Sequence, residues 1–104
     1  MPKRIKFGHG YYYIVTPEEL RDNRMKGKKV VLEGTVDGKP LIEFLPMELP
    51  SYRTSFSLDG LRVEFAGAVP LSRGEWVRVY GVFIGHTIVA RAIETEGAVF
   101  TTEE

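Results

Sequence analysis

The chain has 104 residues, 43% hydrophobic and 27% charged, with equal numbers of basic and acidic side chains and no cysteine. That length holds one core, the composition is that of a folded domain and not a disordered one, and the missing cysteine excludes disulfides, thiolate metal sites and thiol nucleophiles. No apolar run approaches the roughly 20 residues of a membrane-spanning helix. The basic opening Met-Pro-Lys-Arg-Ile-Lys leads into Gly8, His9 and Gly10, not into an apolar stretch, which argues against a signal peptide, so the expectation is a soluble, cytoplasmic protein. The zero net charge is uneven: through Val36 eight basic residues stand against four acidic ones, leaving +4 there and −4 in the remainder. Glutamine is absent and Asn23 is the only asparagine, a depletion of thermolabile amides that leans toward a thermophilic source.

Residues 11–15, aromatic and β-prone, predict a leading strand. Thr16, Pro17 and Glu19 then form a helix-start signal: a capping hydroxyl, a proline at the first helical position, and a carboxylate three residues after the cap. The predicted helix spans residues 17–24 and stops near Gly27. Residues 28–36 alternate, Val30, Leu32 and Gly34 on one face, Lys29, Val31, Glu33 and Thr35 on the other, with Gly34 marking a bulge or sharp bend. Asp37-Gly38 reads as a turn. Pro40, Pro46 and Pro50 then exclude a continuous central strand across residues 39–53, leaving either a short edge strand at 41–45 or a long loop. Residues 54–58 and 61–69 predict strands joined by an Asp59-Gly60 turn, with Phe56, Leu58, Val63, Phe65 and Val69 pointing inward. Strands at 75–84 and 87–94 follow, joined through Gly85-His86, and residues 97–104 are expected to fray.

Regular strands, hairpin-sized connections and almost no helix favour a closed antiparallel barrel or a small sandwich. Val30-Val31-Leu32-Glu33-Gly34-Thr35-Val36 resembles the glycine-bent first strand of OB-fold (oligonucleotide/oligosaccharide-binding) proteins. Leu61-Arg62-Val63-Glu64-Phe65-Ala66-Gly67 resembles their third strand, Gly74-Glu75-Trp76-Val77-Arg78-Val79-Tyr80-Gly81-Val82-Phe83 the fourth, and Ile88-Val89-Ala90-Arg91-Ala92-Ile93-Glu94 the fifth. The resemblance implies an all-β, five-stranded antiparallel OB-type barrel over residues 28–94, extended by a strand and short helix at 11–26, in a single domain. It is nearest to single-stranded nucleic-acid binders of the replication protein A kind. A second branch, the periplasmic haem chaperone of cytochrome c maturation, shares the short link between third and fourth strands. The chain lacks that branch's anchor and signal, and no histidine with a tyrosine shortly after it follows the last strand, so no haem or other cofactor is expected.

In such a barrel, ligands meet the face of the second and third strands, flanked by the loops between strands one and two and between four and five. The outward face carries Arg53, Ser55, Ser57, Arg62, Glu64 and Ala66, with Tyr52 and Phe44 as stacking candidates and Lys26, Lys28 and Lys29 extending a path for phosphates. Glu43, Glu48 and Glu64 oppose that path, and the chain as a whole is not basic. The alternative is a protein-interaction module or a subunit of a larger assembly, because the segment at 40–52 is unusually apolar for a loop. That segment either packs on its own barrel or covers a partner. Tyr11, Tyr12 and Tyr13 are expected to pack against the barrel, and Trp76, Arg78 and Tyr80 to form an aromatic–cation cluster, facing solvent or seating the helix. His9 and His86 have no metal-box or triad companions, and no nucleophile elbow or phosphate loop is present, so no enzyme is expected.

Overall fold

The computed structural model describes residues 3–8, 10–21, 24–46, 48 and 51–102. It contains strands β1 (Arg4–Phe7) and β2 (Gly10–Ile14), helix α1 (Pro17–Leu20), and strands β3 (Lys29–Leu45), β4 (Ser51–Leu58), β5 (Leu61–Phe65), β6 (Trp76–Phe83), β7 (Thr87–Glu94) and β8 (Val99–Thr101). Five of them close into a small barrel in the order β3-β4-β5-β7-β6, with β6 returning to β3. The result is consistent with an OB-like barrel. Among the described residues, no helix is long and apolar enough to cross a membrane.

The expectation of an antiparallel barrel needs correction, and the reason is arithmetic. Strands alternating in direction around a closed ring must be even in number, so a ring of five has at least one parallel neighbour pair. Here that pair is β5 and β7, Arg62 through Phe65 matching Thr87 through Ala90. The crossover a parallel pair requires is supplied by residues 66–86, which include β6.

The barrel interior is filled by alternate residues of each strand, as the period-two pattern predicted. Val30, Leu32, Leu58, Val63, Val69, Val77, Val79, Phe83, Ile88 and Ile93 are all essentially inaccessible to solvent. Two glycines are required by close approach. A Cβ on Gly81 would collide with the Val89 carbonyl oxygen, at the point where the β6–β7 register shifts. A Cβ on Gly34 would meet Asp59 Oδ2 at 2.6 Å, from the β4–β5 turn. Gly34 therefore marks a close approach, and its pairing with β6 runs through without a bulge.

The irregularity lies further on. Asp37-Gly38 is no hairpin turn; β3 continues through it, with a register shift between Asp37 and Leu41 where four steps on β3 match two on β4. Pro40 fits inside β3 because it falls within that irregularity, where no ladder bond is demanded of it. Beyond it, Leu41 through Leu45 pair with Ser55 through Ser51, so of the two alternatives the edge strand at 41–45 is the one that forms, as half of a two-stranded arm. Met47, Leu49 and Pro50 lie outside the described residues.

Other boundaries shift for similar reasons. The helix keeps its capping box, Thr16 N–H donating to Glu19 and Glu19 N–H to Thr16, but ends at Leu20. Leu20 is its one buried side chain, and the positions three and four residues on are Asn23 and Arg24, with nothing apolar to carry a second turn inward. The second predicted hairpin strand ends at Phe65, four residues early, yet Val69 stays fully buried. The buried Thr54 hydroxyl holds that return: it donates to the Gly67 carbonyl at 2.7 Å and accepts from Val69 N–H at 2.9 Å. The tail expected to fray forms β8 on the part of β7 that β5 does not reach.

A second apolar cluster sits outside the barrel, from Tyr12, Val31, Tyr80 and Ala92, covered by Ile5 and Phe7. Strands β1 and β6 are three steps apart in the sheet, about 14 Å if it were flat. Phe7 and Tyr80 nevertheless stack with centroids 4.2 Å apart and planes at 20°. The β1–β2 hairpin thus folds back over the outer wall. What lies over Tyr80 is neither solvent nor the helix but this hairpin. Tyr12 is buried there, Tyr13 packs partly on the main core, and Tyr11 is exposed beneath Arg4.

Candidate functional site

The outer face of β4 and β5 follows from alternation. Thr54, Phe56 and Leu58 turn inward, so Arg53, Ser55 and Ser57 lie on the opposite face, beside Arg62 and Glu64 of β5, with Ser55 itself buried among its neighbours. The same alternation places Tyr52 on the inner side, where it extends past the barrel into the arm. Phe44 is its direct cross-strand partner, the rings 5.4 Å apart at 59°, each about half exposed.

The four proposed contacts on this wall therefore divide between two faces. Tyr52 and Phe44 share one, Arg53 and Arg62 the other. Neither arginine is free of carboxylate: Arg53 Nη2 meets Glu43 Oε1 at 3.0 Å, and Arg62 Nε meets Glu64 Oε2 at 2.8 Å. Both pairs are solvated, so each is worth no more than about 1 kcal/mol and can be displaced. The Arg53 Nε–H is buried without a hydrogen-bond partner, the one such side-chain atom among the described residues.

Lys26, Lys28 and Lys29 occupy the other end of β3, next to the turn between β6 and β7. Gly27 N–H donates to the Phe83 carbonyl, and the Lys26 side chain lies along Gly85 in that turn. Arg62 pairs with Thr87, the first residue after the same turn, so it flanks it from the opposite side. Lys29 Nζ sits 5.8 Å from the centre of the Tyr12 ring. The structure thus gives two separate groups, aromatic on the arm and cationic at the β6–β7 turn, with the β4–β5 wall between them.

A hollow of about 440 Å³ opens at the free side of β4, just past the end of β5, lined by Leu45, Tyr52, Arg53, Glu64, Ala66 and Val89. Val89 had not been singled out from the sequence, although alternation with Ile88 and Ala90 turns it outward, next to Glu64. No known family model and no curated protein matches this chain. Its chemistry has to be read from its own residues.

Arg78 is the most heavily engaged charge. It bonds Glu33, Glu94 and the Tyr80 hydroxyl and lies 5.8 Å from the Trp76 ring centre. Its pKa is raised, first by the Tyr80 hydrogen bond and then by Glu33, against a lowering from burial. This group ties β3, β6 and β7 together on the outer wall and offers no spare donor set to a ligand. His86 is exposed in the β6–β7 turn, and among the described residues no group of three or more metal-ligating side chains converges.

Proposed function

We propose that the protein is a non-enzymatic, OB-type binding module that takes single-stranded DNA or RNA across the β4–β5 wall, between the arm and the β6–β7 turn. Numbered along the chain, the barrel strands β3, β4, β5, β6 and β7 are strands one to five. The arm is then the loop between strands one and two, and the β6–β7 turn is the loop between four and five, the two elements that flank an OB ligand face. The observation that carries the reading is the half-exposed Phe44–Tyr52 pair on the arm. An isolated aromatic pair with no core to fill is a stacking platform, worth about 1–3 kcal/mol per base.

The electrostatics shape the kind of binding. With Arg53 and Arg62 already paired to carboxylates and zero net charge, affinity comes from stacking more than from phosphate neutralisation. Lys26, Lys28 and Lys29 supply the remaining cations, so about three phosphates are neutralised and the slope of log K against log salt is about −2. Anisotropy titration of a labelled oligothymidylate at low and moderate salt tests this. Binding with that shallow slope is expected, with Phe44→Ala and Tyr52→Ala each weakening it roughly 5- to 150-fold. Absence of binding at low salt refutes the reading.

A second reading, a protein-interaction module or subunit, is favoured by a different observation. Leu41 and Ile42 are exposed on the arm as well, one on each face, and bases have no use for two aliphatic faces. Failure of the titration, together with a stoichiometric protein partner held through the arm, selects that reading.

A further inference from the structure

The arm has an open edge whose geometry can be derived. The Val36 N–H donates to the Glu75 carbonyl and the Val36 carbonyl accepts from Gly74 N–H, which sets the backbone groups of Val36 on the β6 side. Asp37 then turns its groups toward β4, where it meets Ser57. Strand β4 runs without interruption from Ser57 to Ser51, so Ser55, Arg53 and Ser51 also turn their backbone groups to β3. Their partners Leu41, Glu43 and Leu45 are thereby satisfied. Ile42 and Phe44 direct N–H and C=O the other way, and no strand among the described residues pairs with that side of the arm.

The open edge is short and bounded. Pro40 and Pro46 occupy the next edge-facing positions on either side, and neither has an N–H to donate. Between them Leu41-Ile42-Glu43-Phe44-Leu45 reads nearly the same in both directions: aliphatic, large apolar, Glu, large apolar, aliphatic. Leu41, Ile42 and Phe44 are 54%, 44% and 53% exposed, a concentration of apolar surface on an unguarded edge of the kind that recruits another strand.

We propose that this edge pairs with the same edge of a second copy of the chain, antiparallel about Glu43, making a two-fold dimer with a four-stranded sheet across both arms. In that register Ile42 stands opposite Phe44 of the second copy and Leu41 opposite its Leu45. Four N–H···O=C bonds form, and they use every free donor and acceptor between the two prolines. The prolines stop the pairing from running on, so the assembly closes at two copies. The single charged position falls on the two-fold axis, where the two Glu43 carboxylates face each other, each held by its own Arg53. That opposition keeps the dimer weak, as does an interface at or below about 1,200 Å². The pairing is independent of what the arm binds, and its failure leaves the ligand reading intact.

Sedimentation equilibrium of the full chain from roughly micromolar to millimolar concentration gives the first test, with average mass expected to climb from that of one chain toward two. Ile42→Pro removes an edge N–H while leaving every bond to β4 in place, and should keep the chain monomeric throughout. Glu43→Gln removes the like-charge opposition and should shift the dimerisation midpoint to at least threefold lower concentration. Amide exchange on the unmodified protein reads the same event without relying on a variant. Protection of the Ile42 and Phe44 amides should rise with concentration, while that of Leu41, Glu43 and Leu45 should not change. A chain monomeric at every concentration, or a dimer in which the Ile42 and Phe44 amides stay unprotected, overturns the proposal.

Discussion

Two stretches of β3 have equally apolar sequences and opposite surroundings. Val30, Val31 and Leu32 are buried on both faces, inside the barrel and beneath the β1–β2 hairpin. Leu41, Ile42 and Phe44, a dozen residues on, are about half exposed on both faces of the arm. Composition does not separate these segments. The difference is what lies across from them: β6 and β2 flank the first, whereas the second has β4 alone. Apolar residues in the barrel stretch hold the fold together, and those in the arm are available for recognition.

That contrast can be broken by experiment, and the largest effect belongs to the barrel. Phe83 is fully buried in the main core, so Phe83→Ala should cost about 3–5 kcal/mol in urea unfolding. A cost near 1 kcal/mol would mean that the barrel interior is not the stabilising element. Thr54→Val comes next. It keeps the shape but strands the Val69 N–H and the Gly67 carbonyl, and about 1–3 kcal/mol should be lost. Thr54→Ser, which keeps the hydroxyl, should recover most of it. Smallest is Phe44→Ala on the arm, expected within about 0.5 kcal/mol of the parent protein's stability while weakening oligonucleotide binding. If Phe44→Ala instead unfolds the chain, the arm is part of the fold and the comparison fails.

Much of the barrel was legible because each strand carries its own period-two pattern. Inward placement of Phe56, Leu58, Val63 and Phe65 followed from alternation alone, and the Asp59-Gly60 turn, where both residues have positive φ, from its residue types, whereas Val69 is buried through the Thr54-held return. The candidate site was legible only as a set of residues. The faces of Tyr52 and Phe44 could be counted from Phe56 and Val36, but their pairing needed the bulge after Asp37, which moves the register by two residues. The carboxylate partners of Arg53 and Arg62 were recognised as obstacles near the groove, not as the ion pairs they form. Strand β1 was missed although Ile5 and Phe7 alternate with Arg4 and Lys6; so short a run acquires meaning only against the wall it covers.

The sequence by itself determined what depends on neighbours along the chain: strand periodicity, the capping box at Thr16–Glu19, the tight turn at residues 59–60, and the absence of thiol chemistry. Tertiary structure decided what depends on residues far apart: the parallel β5–β7 pair forced by closing an odd ring, the fold-back of β1 and β2, and the continuation of β3 past two turn-like signals. Asp37-Gly38 and Pro40 break a strand only when both edges need hydrogen bonds. With β4 on one side and an open edge on the other, they bend it into an arm.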